Sequence, residues 1–296
     1  MTARGRLFVL SSFLLAASVQ AASTIHATQR WSWSASAGWM NWRTDSTNGV
    51  VVGPCYMSGW IYSSTKGWMH AGDGSPTNGY RYGNNSTNDY GINLEDGIYL
   101  RGFAWSASSG WISFEWTNRE AASAPKIDLL TGNMSGLAWS ASLGWISLSN
   151  MSAKVRTVTM DAGTVAPNGI PVAWQSLMTG GTNVLLGGSA DYDNDTVSDY
   201  DEYVAGTHPT NPASRFEIGE VQIPVSTNML LKWWMEEGRL YQVETNADLM
   251  NSNAWQAMYL QWINSGTGGW YEAQLDIPEA ATSYYYRVRV KLPLSQ

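Results

Sequence analysis

Gly102-Phe-Ala-Trp105-Ser-Ala-Ser-Ser-Gly110-Trp111-Ile-Ser-Phe114 and Gly136-Leu-Ala-Trp139-Ser-Ala-Ser-Leu-Gly144-Trp145-Ile-Ser-Leu148 are copies of one pattern, and two further segments align with them without gaps. These are Arg30-Trp-Ser-Trp33-Ser-Ala-Ser-Ala-Gly38-Trp39 and Gly59-Trp-Ile-Tyr62-Ser-Ser-Thr-Lys-Gly67-Trp68. The shared element is an aromatic residue, four small or polar residues, then Gly-Trp. The second Trp recurs at 39, 68, 111 and 145, at intervals of 29, 43 and 34, as expected of repeats joined by loops of unequal length. Ser and Gly defeat a helical period, whereas Trp-Ile-Ser-Phe and Trp-Ile-Ser-Leu alternate bulky and small, so each unit predicts a tight β-hairpin. The Gly before the second Trp supplies the positive φ that closes a short hairpin loop. One such hairpin cannot bury a core, so the units are expected to stack as blades or a small barrel.

Two roles divide the tryptophans. Recurrence at fixed positions assigns Trp33, Trp39, Trp68, Trp105, Trp111, Trp139 and Trp145 to the core. An indole face beside a polar N–H can also stack on a sugar ring, and Trp31, Trp42, Trp60 and Trp116 are the candidate exposed platforms for polysaccharide. The repeats resemble the Gly-x-Ala-Trp-Ser…Gly-Trp-Ile modules of secreted bacterial proteins, a resemblance that covers about residues 30–150 and brings no established activity with it.

The chain has 296 residues, 17 basic and 24 acidic side chains, 17 Trp and 29 Gly. Charged residues are 14% of it, against about 25% in ordinary globular proteins. The net charge of −7 argues against a nucleic-acid partner. Residues 1–21 read as a secretory signal: Arg4 and Arg6, an apolar run from Leu7 to Val19, and small residues up to Ala21. That run is too short to span a bilayer. Cleavage before Ala22 implies export to the exterior, the cell surface or the periplasm, with no stable membrane insertion afterwards. Cys55 is the only cysteine, which forbids an internal disulfide and reads as a structural, partly buried thiol.

The sharpest chemical motif is Asp191-Tyr-Asp193-Asn-Asp195-Thr-Val197-Ser-Asp199-Tyr-Asp-Glu202. Carboxylates stand at loop positions 1, 3, 5, 9 and 12, and the Val197 carbonyl at 7 completes a set of hard oxygen donors for one calcium ion. Zinc would require His or Cys, which the loop lacks. Thr196 occupies position 6, where Gly makes the sharp turn more easily; left-handed geometry costs a β-branched residue about 1–2 kcal/mol. The loop and its sequel to Ser214 resemble thrombospondin type 3 and dockerin-like calcium repeats. That resemblance implies a paired loop upstream, and Thr164–Gln175 keeps its Gly-Ile-Pro and Trp landmarks. Thr164, Ala166, Val172 and Gln175 stand at its ligand positions and carry no charge, so one calcium site is expected, with the first loop structural.

From Arg215 onward alternating strands appear, with Tyr286, Val288 and Val290 on one face and Arg287 and Arg289 on the other. This stretch reads as a small β-sandwich and is similar to the fibronectin-like modules of secreted bacterial proteins. The organisation is therefore a mainly β chain: signal 1–21, Trp-rich repeats 22–158, a calcium-loop linker with short helices 159–214, and a sandwich 215–296. No familiar hydrolase or nucleotide motif is present. The expected role is structural or adhesive, with no catalytic residue assigned. Carbohydrate binding is the alternative, and a glycosidase using a pair among Asp89, Glu95, Asp96, Glu115 and Glu120 is a third reading.

Overall fold

The computed structural model describes residues 22–181, 186, 190–225, 228–259, 261–264, 266–277 and 284–294; the expected signal at 1–21 lies outside them. The chain is mainly β.

Each repeat is an antiparallel hairpin with a three-residue loop. The pairs are β1 (Ile25–Ser34) with β2 (Gly38–Asn41), β3 (Met57–Ser63) with β4 (Gly67–Gly72), β5 (Tyr99–Ser106) with β6 (Gly110–Ser113), and β7 (Leu137–Ser140) with β8 (Gly144–Ser147). The loops close on Gly38, Gly67, Gly110 and Gly144, whose φ values of 66°, 73°, 73° and 68° are the left-handed conformation expected of them. Each hairpin pairs with the next, and β8 returns to β1, so eight strands form a closed barrel. Closure satisfies the edge that every isolated hairpin would expose.

Register fixes the barrel's geometry. Within the hairpins the aromatics face each other across the strands: Trp33 opposite Trp39, Tyr62 opposite Trp68, Trp105 opposite Trp111, Trp139 opposite Trp145. At each junction the first aromatic instead meets the residue two beyond the preceding Trp, namely Asn41, His70, Ser113 or Ser147. Four equal offsets of two residues tilt the strands and make the hairpins equivalent around the axis.

The alternation places the repeated aromatics outside, which corrects the expectation that Trp33, Trp39, Trp68, Trp105, Trp111, Trp139 and Trp145 form the core. With Tyr62 they make a belt whose members are 37–55% exposed. The lumen takes the opposite phase. Ser34, Ser63, Ser106 and Ser140 fill its narrow end, followed by Met40, Ile61, Met69, Ile112 and Ile146, with Trp42, Phe114 and Leu148 beyond. An eight-stranded barrel has room only for side chains that interdigitate, and four seryl groups fit where seven indoles and a phenol ring would not. The serines are satisfied locally: Ser63 Oγ donates to the Ala37 carbonyl at 2.9 Å, and Ser34 Oγ accepts from Ala37 N–H at 3.0 Å. Outside, the cross-strand aromatic pairs hold each hairpin shut, a contribution of about 0.2–1 kcal/mol per pair.

The C-terminal strands build a two-sheet sandwich. One sheet holds β9 (Ile218–Val225), β10 (Asn228–Met235) and β12 (Gly269–Asp276); the other centres on β11 (Leu240–Asn246), paired with β13 (Tyr285–Lys291) and two short strands. Leu231, Trp233 and Met235 meet Tyr241, Val243, Val288 and Val290 between the sheets. On the outer face, Arg287 and Arg289 both reach Glu244, at 2.6 and 3.4 Å.

Candidate metal centre

Between the barrel and the sandwich lie two seven-residue helices, α1 (Val172–Met178) and α2 (Asp199–Ala205), each preceded by a loop. In the second loop the Asp191 carboxylate accepts from Asp195 N–H at 3.0 Å and Thr196 N–H at 2.7 Å, which bends the chain back on itself. Asn194 and Thr196 take φ of 61° and 80°, so the sharp turn is made without glycine. Asp195 Oδ1 accepts from Val197 N–H, and Asp199 Oδ1 from Tyr192 N–H. Ser198 then caps α2 by accepting from Asp201 N–H.

The curl gathers oxygen donors. One carboxylate oxygen from each of Asp191, Asp193 and Asp195 lies within 4.8 Å of the others. Asp199 and Glu202 are not in that set, but both are fully buried beside it. Both oxygens of Asp193, Oδ2 of Asp195 and Oε2 of Glu202 are buried without a hydrogen-bond partner among the described residues. A desolvated carboxylate oxygen with no donor is expensive, and a shared positive charge would relieve all four of these in one loop. Burial pushes the Glu202 carboxyl up to about 7, with the Asp193, Asp195 and Asp199 charges adding to the shift. Asp193 is raised by burial and then by Asp195. The residues therefore fit a hard cation: an all-oxygen set of flexible geometry suits calcium, while magnesium would keep much of its water.

In the first loop Gly169, at the position of Thr196, takes φ of 82°, and the loop closes on the chain's own hydrogen bonds. The Gln175 side chain, at the position equivalent to Glu202, accepts from Leu186 N–H at 2.9 Å and donates to the Ile170 carbonyl at 2.9 Å. Asn168 donates to the same Gln175 oxygen at 3.1 Å. A neutral amide with both signs of hydrogen-bonding group closes the loop. Trp174 of α1 packs edge-on against Tyr203 of α2 at 5.1 Å, so the two loop–helix units share one core with Ile170 and Leu186.

This pair is clamped on both sides. The half-buried Arg239, in the turn between β10 and β11, donates to the carbonyls of Val204 at 2.8 Å and Tyr203 at 2.6 Å, at the C-terminal end of α2. Cationic donors suit that end of a helix. Arg119 of the barrel pairs with Asp96 and reaches Glu237 of the same turn at 3.2 Å. Ile98, Tyr99 and Leu129 pack on Leu240, and Leu294 crosses back to the barrel core. Cys55 lines the same junction, and burial pushes its thiol up to about 12, so it is an unreactive structural group as expected.

The expected aromatic platforms separate. Trp42 is 1% exposed and donates to Ser32 Oγ, so it belongs to the core and offers no surface, correcting that assignment. Trp116 is half-buried, bonded to the Leu137 carbonyl and tilted 36° against Trp145; Trp31 lies under Arg30. Trp60 is exposed and stands beside His70. Of the candidate carboxylates, Glu95 and Glu115 pair with Arg101, Asp96 pairs with Arg119, Asp89 accepts from the Gly83 and Thr77 N–H groups, and Glu120 is exposed. Arg239 was not anticipated; a lone Arg in a turn-like Glu-Glu-Gly-Arg stretch carries no sequence signal for a helix end 35 residues away. Comparison with known protein families, curated proteins and solved structures finds no match.

Proposed function

We propose that this chain is an exported structural or adhesive protein without catalytic activity, in which one calcium ion orders a joint between a Trp-belted barrel and a β-sandwich. The observation that carries the reading is the set of four buried, unpartnered carboxylate oxygens on Asp193, Asp195 and Glu202. Asp191, Asp193, Asp195 and Glu202 would hold the ion, with the Val197 carbonyl and Asp199 completing the shell. Bound calcium supplies charge neutralisation, which lets the acidic loop stay folded against α1. Order then passes along α2 to the Arg239 hook and so to the sandwich.

Small-angle scattering of the mature chain tests this. Chelation is expected to enlarge its maximum dimension reversibly, and an Asp193→Asn, Glu202→Gln variant is expected to stay extended in calcium. Dimensions indifferent to calcium would remove the joint from the account.

A further inference from the structure

A cleft of about 700 Å³ runs between the side of the barrel and the linker that leads into α1. Tyr56, Trp60, His70 and Asp73 line it from the barrel, and Asp161 and Thr164 from the linker. Trp60 is also the wall of a second, shallower depression of about 380 Å³ with Asn48 and Trp68, so one indole stands between two adjoining hollows.

The lining chooses among ligand classes. Among the described residues no Lys or Arg lines either hollow, and two carboxylates do, which disfavours phosphates, nucleotides and acidic sugars. Burial lowers the His70 pKa, so the ring is neutral at pH 7 and adds no positive charge; its Nδ1 is engaged with the Tyr90 hydroxyl at 2.8 Å. Asp73 and Asp161 each spend Oδ1 on a local turn, accepting from Ser75 and Gly163 N–H at 2.8 and 3.0 Å. Their remaining oxygens have no hydrogen-bond partner among the described residues and can accept from hydroxyl groups. A long lipid tail would meet too many polar groups, since burying those without partners is costly. An apolar ring face at the saddle with hydroxyl acceptors beside it matches a neutral sugar, whose C–H face stacks while its hydroxyls donate.

We propose that this groove binds a neutral oligosaccharide, with Trp60 as the stacking platform between two subsites and Asp73 and Asp161 as hydroxyl acceptors. The proposal is independent of the calcium reading, because none of these residues belongs to the 191–202 loop.

The test is calorimetric titration of the mature protein, with calcium present throughout, against cellohexaose, xylohexaose, mannohexaose and, as a charged control, hexalysine. Binding of at least one neutral hexasaccharide is expected, unchanged between 50 and 500 mM salt. Trp60→Ala should weaken it at least tenfold, Trp60→Phe should restore most of it, and Asp73→Asn should weaken it severalfold. Trp145→Ala, which removes an exposed indole outside the groove, should leave it unchanged. Circular dichroism melts establish that each variant folds. Absence of binding by all three hexasaccharides, equal affinity in Trp60→Ala, or salt-sensitive binding of hexalysine alone would each overturn the proposal. Failure of calcium to bind, measured separately, would leave it standing.

Discussion

Loops 164–175 and 191–202 trace the same path to a short helix and differ in how the last position is satisfied. In the first, Gln175 closes the loop with a neutral amide that both donates and accepts. In the second, Glu202 is buried to 0% exposure with one oxygen on Thr207 and the other unpartnered. An amide folds a loop with the chain's own hydrogen bonds, whereas on the proposed reading a ring of carboxylates is completed only when a cation arrives. That proposal makes one half of the joint permanent and the other conditional.

The largest effect should come from breaking the conditional half. Calcium at 100 times its dissociation constant is expected to stabilise the protein by about 2.7 kcal/mol. An Asp193→Asn, Glu202→Gln variant should lose that gain in thermal melts; an undiminished calcium-dependent rise would clear the loop of any role. Next, Gln175→Leu should destabilise the chain by about 2 kcal/mol, because it strands the Leu186 N–H and leaves the Ile170 carbonyl with the Ala166 N–H alone. That loss should appear equally with calcium and with chelator, since no ion takes part. A loss confined to one condition would show that the loops are not independent.

The hairpins and the acidic spacing were legible in the sequence; the phase of the tryptophans was not. Recurrence suggested burial, yet beside the belt the lumen takes the smaller Ser, Ala, Met and Ile that alternate with the aromatics. The signal was present in Trp-Ile-Ser-Phe, where the aliphatic Ile112 next to Trp111 must face the opposite way, so only one of the two can point inward. Trp42 shows the same rule from the other side, sharing the inward face with Met40 and ending in the core. Barrel closure depends on a strand pairing more than a hundred residues apart, Trp33 with Ser147, which no local pattern encodes. The carboxylate spacing was readable because its members are contiguous in the sequence. The Arg239 hook was not, because its partners are backbone carbonyls that any sequence would supply.

Smaller effects sharpen the contrast further. Thr196 holds φ 80° in the conditional loop. Thr196→Gly should remove about 1–2 kcal/mol of backbone cost, partly offset by the greater freedom of glycine in the unfolded chain. A net gain of about 1 kcal/mol in the calcium-loaded melt is expected; a net loss would mean that the turn is unstrained.

The smallest effect lies outside both loops. Burial lowers the His70 pKa in the folded barrel. The unfolded chain therefore takes up the proton first, so this contribution is complete above the unfolded value of about 6.5 and declines as pH falls below it. His70→Gln should flatten the stability difference between pH 8 and pH 5, to the same degree with and without calcium. A flattening that depends on calcium would tie the barrel wall to the metal loop.

The most direct measurement is calorimetric titration of calcium into the chelated mature protein and into its Asp193→Asn, Glu202→Gln variant. One equivalent bound by the parent and none by the variant is expected if the unpartnered oxygens of the second loop hold the ion. No heat in the parent, or the same isotherm in the variant, would contradict the idea that a cation completes the joint.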